Sequence, residues 1–234
     1  MMPSLLSTLR RELAAAGDPA RAIGMRAYMK SVMPYYGISS PRMRLVCRSV
    51  FAGVDFPTSD AWRQAVLSTW RRASHREERY AAIALTEIKR FAPFQTMDAL
   101  PMYEEMIVTG AWWDYVDALA THRLGDLLRR YPSVMRRKML AWSRSKDMWK
   151  RRSSILCQIK FKKDTDLDLL YTCIEPSLSS REFFLRKAIG WALRQYAWTD
   201  PKEVRRYVIS RETALSNLSR REALKNVHKG VRNR

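Results

Sequence analysis

The chain has 234 residues, with 43 Lys or Arg against 23 Asp or Glu, a formal charge of +20. Apolar residues make up 47% of it and include 8 tryptophans, enough to bury a sizeable core, so disorder is excluded as the main state. With only 8 Gly and 10 Pro, a turn-rich β sandwich or barrel is disfavoured, and collagen-like and low-complexity classes are excluded.

In chain order, almost every segment reads as helix. Met1 to Gly17 offers only Leu5-Leu6 before Arg10-Arg11-Glu12, which is not the apolar core of a signal peptide. Gly17-Asp18-Pro19, Ser40-Pro41, Pro57-Thr58, Tyr131-Pro132-Ser133 and Thr199-Asp200-Pro201 each look like a helix stop followed by a capped start. Met25, Met29 and Met33, four residues apart, read as core filler. Tyr80, Ile83, Ala84, Ile88 and Phe91 recur at helical steps, as do Leu185, Ile189, Ala192, Leu193 and Tyr196. The stretch from Ser216 to Arg234 reads as a last capping helix with a solvated end.

The helices also repeat. Trp113, Trp149, Phe184 and Arg220 each sit early in a predicted helix, about 35 residues apart, and starts near Pro132, Asp164 and Pro201 supply the alternate members. Two helices every 35 or so residues are the signature of an α-solenoid. The expectation is an all-α, HEAT-like stack spanning residues 1–234 as one domain, its concave face basic.

Charge is unevenly placed. Residues 1–117 carry 15 basic and 12 acidic side chains, whereas residues 118–234 carry 28 and 11. A field of that size asks for a polyanionic partner. Nucleic acid leads, because the cations are not gathered on one lipid-binding amphipathic segment and no apolar run approaches the roughly 20 residues that cross a bilayer. Cys47, Cys157 and Cys173 form no CxxC pair and fit a reducing compartment. His75, His122 and His228 are too scattered for a zinc site. The expectation is a cytoplasmic, nucleoid-associated monomer with no metal, cofactor or membrane partner.

Function is sought in large side chains that fall off the apolar stripe of their own helix. Trp191 lies about 120° from Leu185 on the helical wheel, with Phe184, Lys187 and Arg194 on its flank. This flank either touches a sugar–phosphate backbone or packs on the next repeat. Trp113 and Asp117, one turn apart, face away from the Trp112, Val116 and Leu119 stripe. A carboxylate beside a basic groove repels phosphate, so it either has a chemical task or pairs with Arg123 or Arg152. Arg152, on the edge of the stripe Trp149, Ser153, Leu156 and Ile159 and beside Lys150 and Arg151, reads as a snorkelling surface arginine or a phosphate-gripping fork.

These stretches resemble the alkylpurine DNA glycosylases of the AlkD-like family. The resemblance rests on Ala27-Tyr28-Met29-Lys30, Trp112-Trp113-Asp114-Tyr115-Val116-Asp117, the helix from Trp149 to Gln158, and Glu182 to Arg194 running on into Gln195-Tyr196-Ala197-Trp198-Thr199-Asp200-Pro201. It spans about residues 3–230. It implies a monofunctional glycosylase that excises cationic N3- and N7-alkylated purines from double-stranded DNA without metal or cofactor. It further implies Asp117 as catalytic carboxylate, Trp113 and Trp191 as an aromatic cleft around the deoxyribose, Arg152 as a backbone-contacting arginine, and Tyr28 and Phe183 beside the site. Phe184, Lys187, Arg194 and Arg151 join the candidate DNA contacts. Tyr115 stands where smaller side chains are common in the family, and Arg151-Arg152-Ser153-Ser154 is more basic and polar than usual there. The competing expectations are a non-catalytic nucleic-acid binder on the same repeats and a protein-binding solenoid.

Overall fold

The structure, a computed structural model, describes residues 4–227. Among these residues there is no strand, and the regular structure consists of 14 α-helices with short 3₁₀ segments and one π-helical segment, the all-α class that the periodicity predicts. The helices gather into two compact units, Met1–Met102 and Tyr103–Arg234, whose boundary falls inside α6 (Leu100–Gly110).

The first unit contains α1 (Leu5–Ala15), α2 (Pro19–Met29), α3 (Ser40–Phe51), α4 (Ser59–Arg71) and α5 (Arg76–Thr86). Ser4, Asp18 and Thr58 accept backbone N–H bonds at the starts of α1, α2 and α4, satisfying donors that a helix cannot pair internally. Leu6, Leu9 and Leu13 of α1 pack with Met43, Cys47 and Phe51 of α3, and Trp62, Val66 and Trp70 extend this core from α4. By contrast α2 buries only Met29.

Two buried carboxylates open α5. Glu77 accepts the backbone N–H groups of Tyr36, Gly37 and Ile38. Gly37 is required there: its φ is +87°, and a Cβ would lie 2.0 Å from the Asp18 carbonyl oxygen. Glu78 accepts bonds from the Ser74 N–H and hydroxyl, the Tyr36 hydroxyl and Arg10. Burial alone would raise the Glu78 carboxyl, but these donors hold it below the ordinary glutamate value. The apolar pattern running on through Ile88 and Phe91 does not continue the helix. The Gln95 amide caps the Thr86 carbonyl, and Lys89–Phe94 form a 3₁₀ segment with Pro93 inside it.

In the second unit, α7 (Trp113–Ala118), the π-helical segment Leu119–Leu124 and α8 (Gly125–Arg130) make one continuous helix. It is followed by α9 (Pro132–Ser143), α10 (Met148–Leu156), α11 (Leu167–Ile174), α12 (Phe183–Tyr196), α13 (Pro201–Ser210) and α14 (Asn217–Leu224). Helices α7, α10, α12 and α14 are successive neighbours and form one row. In the other row α9 packs on α11, and α11 is tied to α13 by stacked Tyr171 and Tyr207 rings 4.0 Å apart and by the Tyr171 hydroxyl donating to Glu203 at 2.6 Å. These are the alternating HEAT-like helix pairs that the 35-residue spacing predicts. One start differs: Lys162–Asp164 form a 3₁₀ turn, and α11 begins at Leu167, because Asp166 is the residue whose side chain caps the Leu169 N–H. The last helix ends at Leu224, and residues 228–234 of the expected tail, with His228, lie outside the described residues.

Candidate active site

The row of α7, α10 and α12 carries the off-stripe residues Trp113, Asp117, Arg152 and Trp191. Helix α7 starts sharply: Ala111 is left-handed at φ +43° and Trp112 extended, so Trp113 is the first helical residue and Asp117 follows one turn later. Tyr115 and Val116 turn into the core, which leaves Trp113 and Asp117 together on another side of the helix, both half-buried.

Asp117 meets Arg152 of α10 in a bidentate pair. Arg152 donates Nε to Oδ1 at 2.7 Å and Nη2 to Oδ2 at 2.8 Å, while its Nη1 donates to the main-chain carbonyl of Phe184 at the start of α12. One guanidinium thus ties α7, α10 and α12 together. The Asp117 side chain keeps 15% of its surface exposed and Arg152 only 5%, so the carboxylate is the member of the pair that faces solvent. Burial raises the Asp117 carboxyl above its ordinary value; the bonds and charge of Arg152 pull it down, and Asp114 pushes it up again.

Of the two expected salt-bridge partners, Arg152 takes Asp117 and Arg123 pairs with Asp126 at 3.2 Å. Arg152 is therefore not the surface fork expected from its place on the stripe edge: it is buried, and most of its donors are spent within the protein. Arg151 is likewise held, donating to the Ser177 hydroxyl and the Pro176 carbonyl. Lys187 and Arg194 both pair with Glu222 of α14, at 3.2 and 2.5 Å, and Lys225 joins them. The two lie on either side of Trp191 along α12, and Trp191 is half-buried. Phe184 is half-buried against Trp112 and Trp149, at ring-centroid distances of 5.5 and 5.1 Å, which is the inter-repeat packing weighed for it. Phe183 stays 57% exposed. Tyr28, on α2 in the first unit, is 77% exposed.

Three features escape a reading made helix by helix. The main-chain oxygen of Phe184 has no signature in side-chain identity. The Trp112, Trp149 and Phe184 cluster is split, Trp112 and Trp149 reading as stripe residues of separate helices and Phe184 as an off-stripe flank, although each sits at the start of its own helix. Glu222 was passed over although the repeat marks it: Asp117, Arg152, Lys187 and Glu222 follow one another at intervals of 35 residues, and the structure pairs the first with the second and the third with the fourth. Among the described residues no group of three His, Cys, Asp or Glu could hold a metal ion, and no helix is long and apolar enough to cross a membrane.

A family model described as "DNA alkylation repair enzyme" matches residues 9–227. The solved structure of a protein titled "Predicted DNA alkylation repair enzyme from Enterococcus faecalis" superposes with a TM-score of 0.78 at 28% identity, covering 89% of this chain and 95% of that one. A search of curated proteins finds no match. With the family model matching over nearly the whole length, the chain belongs to the DNA alkylation repair enzyme family.

Proposed function

We propose that this protein is a monofunctional DNA glycosylase that hydrolyses the N-glycosidic bond of cationic N3- and N7-alkylated purines in double-stranded DNA. The observation that carries this reading is the partly exposed Asp117 carboxylate, oriented by a buried guanidinium and set one turn from Trp113.

Glycosidic hydrolysis ordinarily takes two carboxyl groups, one as acid for the leaving group and one to stabilise the sugar cation or activate water. An alkylated purine already carries positive charge. When the C1′–N bond breaks, the bonding pair neutralises that charge on the base, so no acid is needed. Positive charge moves to the sugar, where Asp117 stabilises it and orients the water that adds at C1′ and gives up a proton. A carboxylate has about four lone-pair sites; Arg152 occupies two of them, leaving two for water and sugar. Trp113 and Trp191 lend the negative faces of their rings to the same cation, about 0.5–2 kcal/mol each. Arg152, buried and bonded to both Asp117 and the Phe184 carbonyl, positions the carboxylate. Phe183, Lys187, Arg194, Arg151 and Tyr28 serve duplex binding.

The deciding experiment incubates the protein with methylated duplex DNA and identifies released bases by mass. Wild type frees 7-methylguanine or 3-methyladenine. Asp117→Asn retains duplex binding and loses excision by about 10²–10³-fold, the usual scale for one removed electrostatic contact to a transition state. Normal excision by Asp117→Asn would overturn the assignment of the carboxylate, and binding without any base release by wild type would favour a non-catalytic binder.

A further inference from the structure

The second unit holds a cavity of about 240 Å³ between α10, α11 and the C-terminal end of α12. Its lining mixes apolar side chains (Ile155, Ile159, Leu170, Ala192) with the polar Thr165 and Thr199, and Tyr196 and Trp198 make one side aromatic. The volume is just under the roughly 300–1,000 Å³ of drug-sized pockets, room for one fused-ring base. We propose that this cavity is a second, non-catalytic site that takes a nucleobase carrying a 5′-phosphate.

Three observations point to that ligand class. Trp198 lines the cavity and is 52% exposed, so its indole is accessible for stacking. Gln195, an exposed residue on the cavity lining, makes no side-chain hydrogen bond among the described residues, so its amide can exchange water for a base edge as donor and acceptor. The neighbouring Gln158 amide cannot, because its two ends are tied to the backbone N–H and carbonyl of Asp166. The third is Lys162, an unpaired ammonium on the cavity wall within the run Lys160-Phe161-Lys162-Lys163. Lys162 sits in left-handed backbone at φ +54°, a conformation that glycine adopts more cheaply. A lysine held there at a conformational cost supplies a cation where a phosphate would arrive.

The site does not depend on the glycosylase reading. Asp117 lies on α7, which contributes nothing to the cavity, and Asp117→Asn is expected to bind the probe like wild type. The experiment titrates the full chain with AMP and adenosine, following tryptophan fluorescence, and with a duplex bearing an unpaired 2-aminopurine, following that base. Saturable quenching by AMP assigns the site to free nucleotides; quenching of the 2-aminopurine assigns it to a base swung out of a strand. Trp198→Ala should weaken either by about tenfold or more, Gln195→Ala should weaken both, and Lys162→Gln should abolish the preference for AMP over adenosine while excision stays at wild-type rate. No saturable quenching in either arm overturns the proposal. So does quenching that persists unchanged in Trp198→Ala and Gln195→Ala, with their melting profiles showing that both variants are folded.

Discussion

Asp117 is held in a compromise. The guanidinium of Arg152 keeps a charged, aimed carboxylate in a place where burial would otherwise neutralise it, yet burial remains the larger influence and the carboxyl ends up raised. An acid raised on folding must lose its proton at higher pH than usual, so the acid limb of excision should lie above the ordinary aspartate value near 4. Asp114 contributes to the rise, and Asp114→Asn should move that limb to lower pH in a single-turnover pH profile. A limb unmoved in Asp114→Asn would show that the two carboxylates do not interact. The linkage to stability has the same sign: ionised Asp117 is costlier folded than unfolded, so its contribution improves as pH falls through the folded value. Glu78 behaves in the opposite way. Its lowered value contributes stability that is complete above the unfolded glutamate value and is lost as pH falls through the folded one.

At the level of elements, α12 approaches α14 tightly at Gly190. A Cβ there would stand 2.5 Å from the Glu222 Cβ and 3.0 Å from the Ser219 carbonyl oxygen, both on α14. Glycine within a helix ordinarily costs about 1 kcal/mol relative to alanine, so the usual substitution stabilises. Gly190→Ala should instead destabilise by about 1–3 kcal/mol through overpacking, and it should disturb the Lys187, Arg194 and Glu222 cluster. Gly24 of α2 meets nothing within 4 Å, and Gly24→Ala should raise stability by about 0.5–1 kcal/mol. Denaturant midpoints of the two variants test both signs. Helix existence was legible because stripes such as Leu6, Leu9 and Leu13 repeat on a single turn period. Helix ends were less so. A side-chain bond to a distant carbonyl, like that from Gln95 to Thr86, leaves no periodic trace, and a 3₁₀ turn like Lys162–Asp164 has nearly the same local pattern as a helix start.

Across the molecule, charge is the feature that sequence displays most loudly and structure tempers most. The second unit carries 28 basic and 15 acidic side chains, but Lys138 and Lys150 are paired with Glu104, Arg152 with Asp117, and Lys187, Arg194 and Lys225 with Glu222. The cations open to phosphate are thus fewer than composition suggests. Lys146 and Arg181, in the turns entering α10 and α12, have no such partner among the described residues. Duplex affinity should fall linearly on a log–log salt plot, and Lys146→Gln or Arg181→Gln should each flatten the slope by about 0.9, with the single-turnover excision rate at saturation unchanged. An unaltered slope would remove that side chain from the duplex interface. The candidate site was legible as a set of off-stripe residues, Trp113, Asp117, Arg152 and Trp191, because wheels show which residues leave the core. The pairing of Arg152 with Asp117 was one of two options, since a wheel is silent on what faces a residue from the next repeat.

The paired charges at 117 and 152, and again at 187 and 222, bind the chain to a fixed pitch. One residue inserted inside α10 or α12 would swing everything after it by about 100° and strand a buried ion. Length changes between these anchors are therefore confined to the turns or to additions of an entire helix pair. Swapping one complete module for another, cut at the connecting turns, is the route by which this scaffold can be lengthened or rebuilt without breaking its internal ruler.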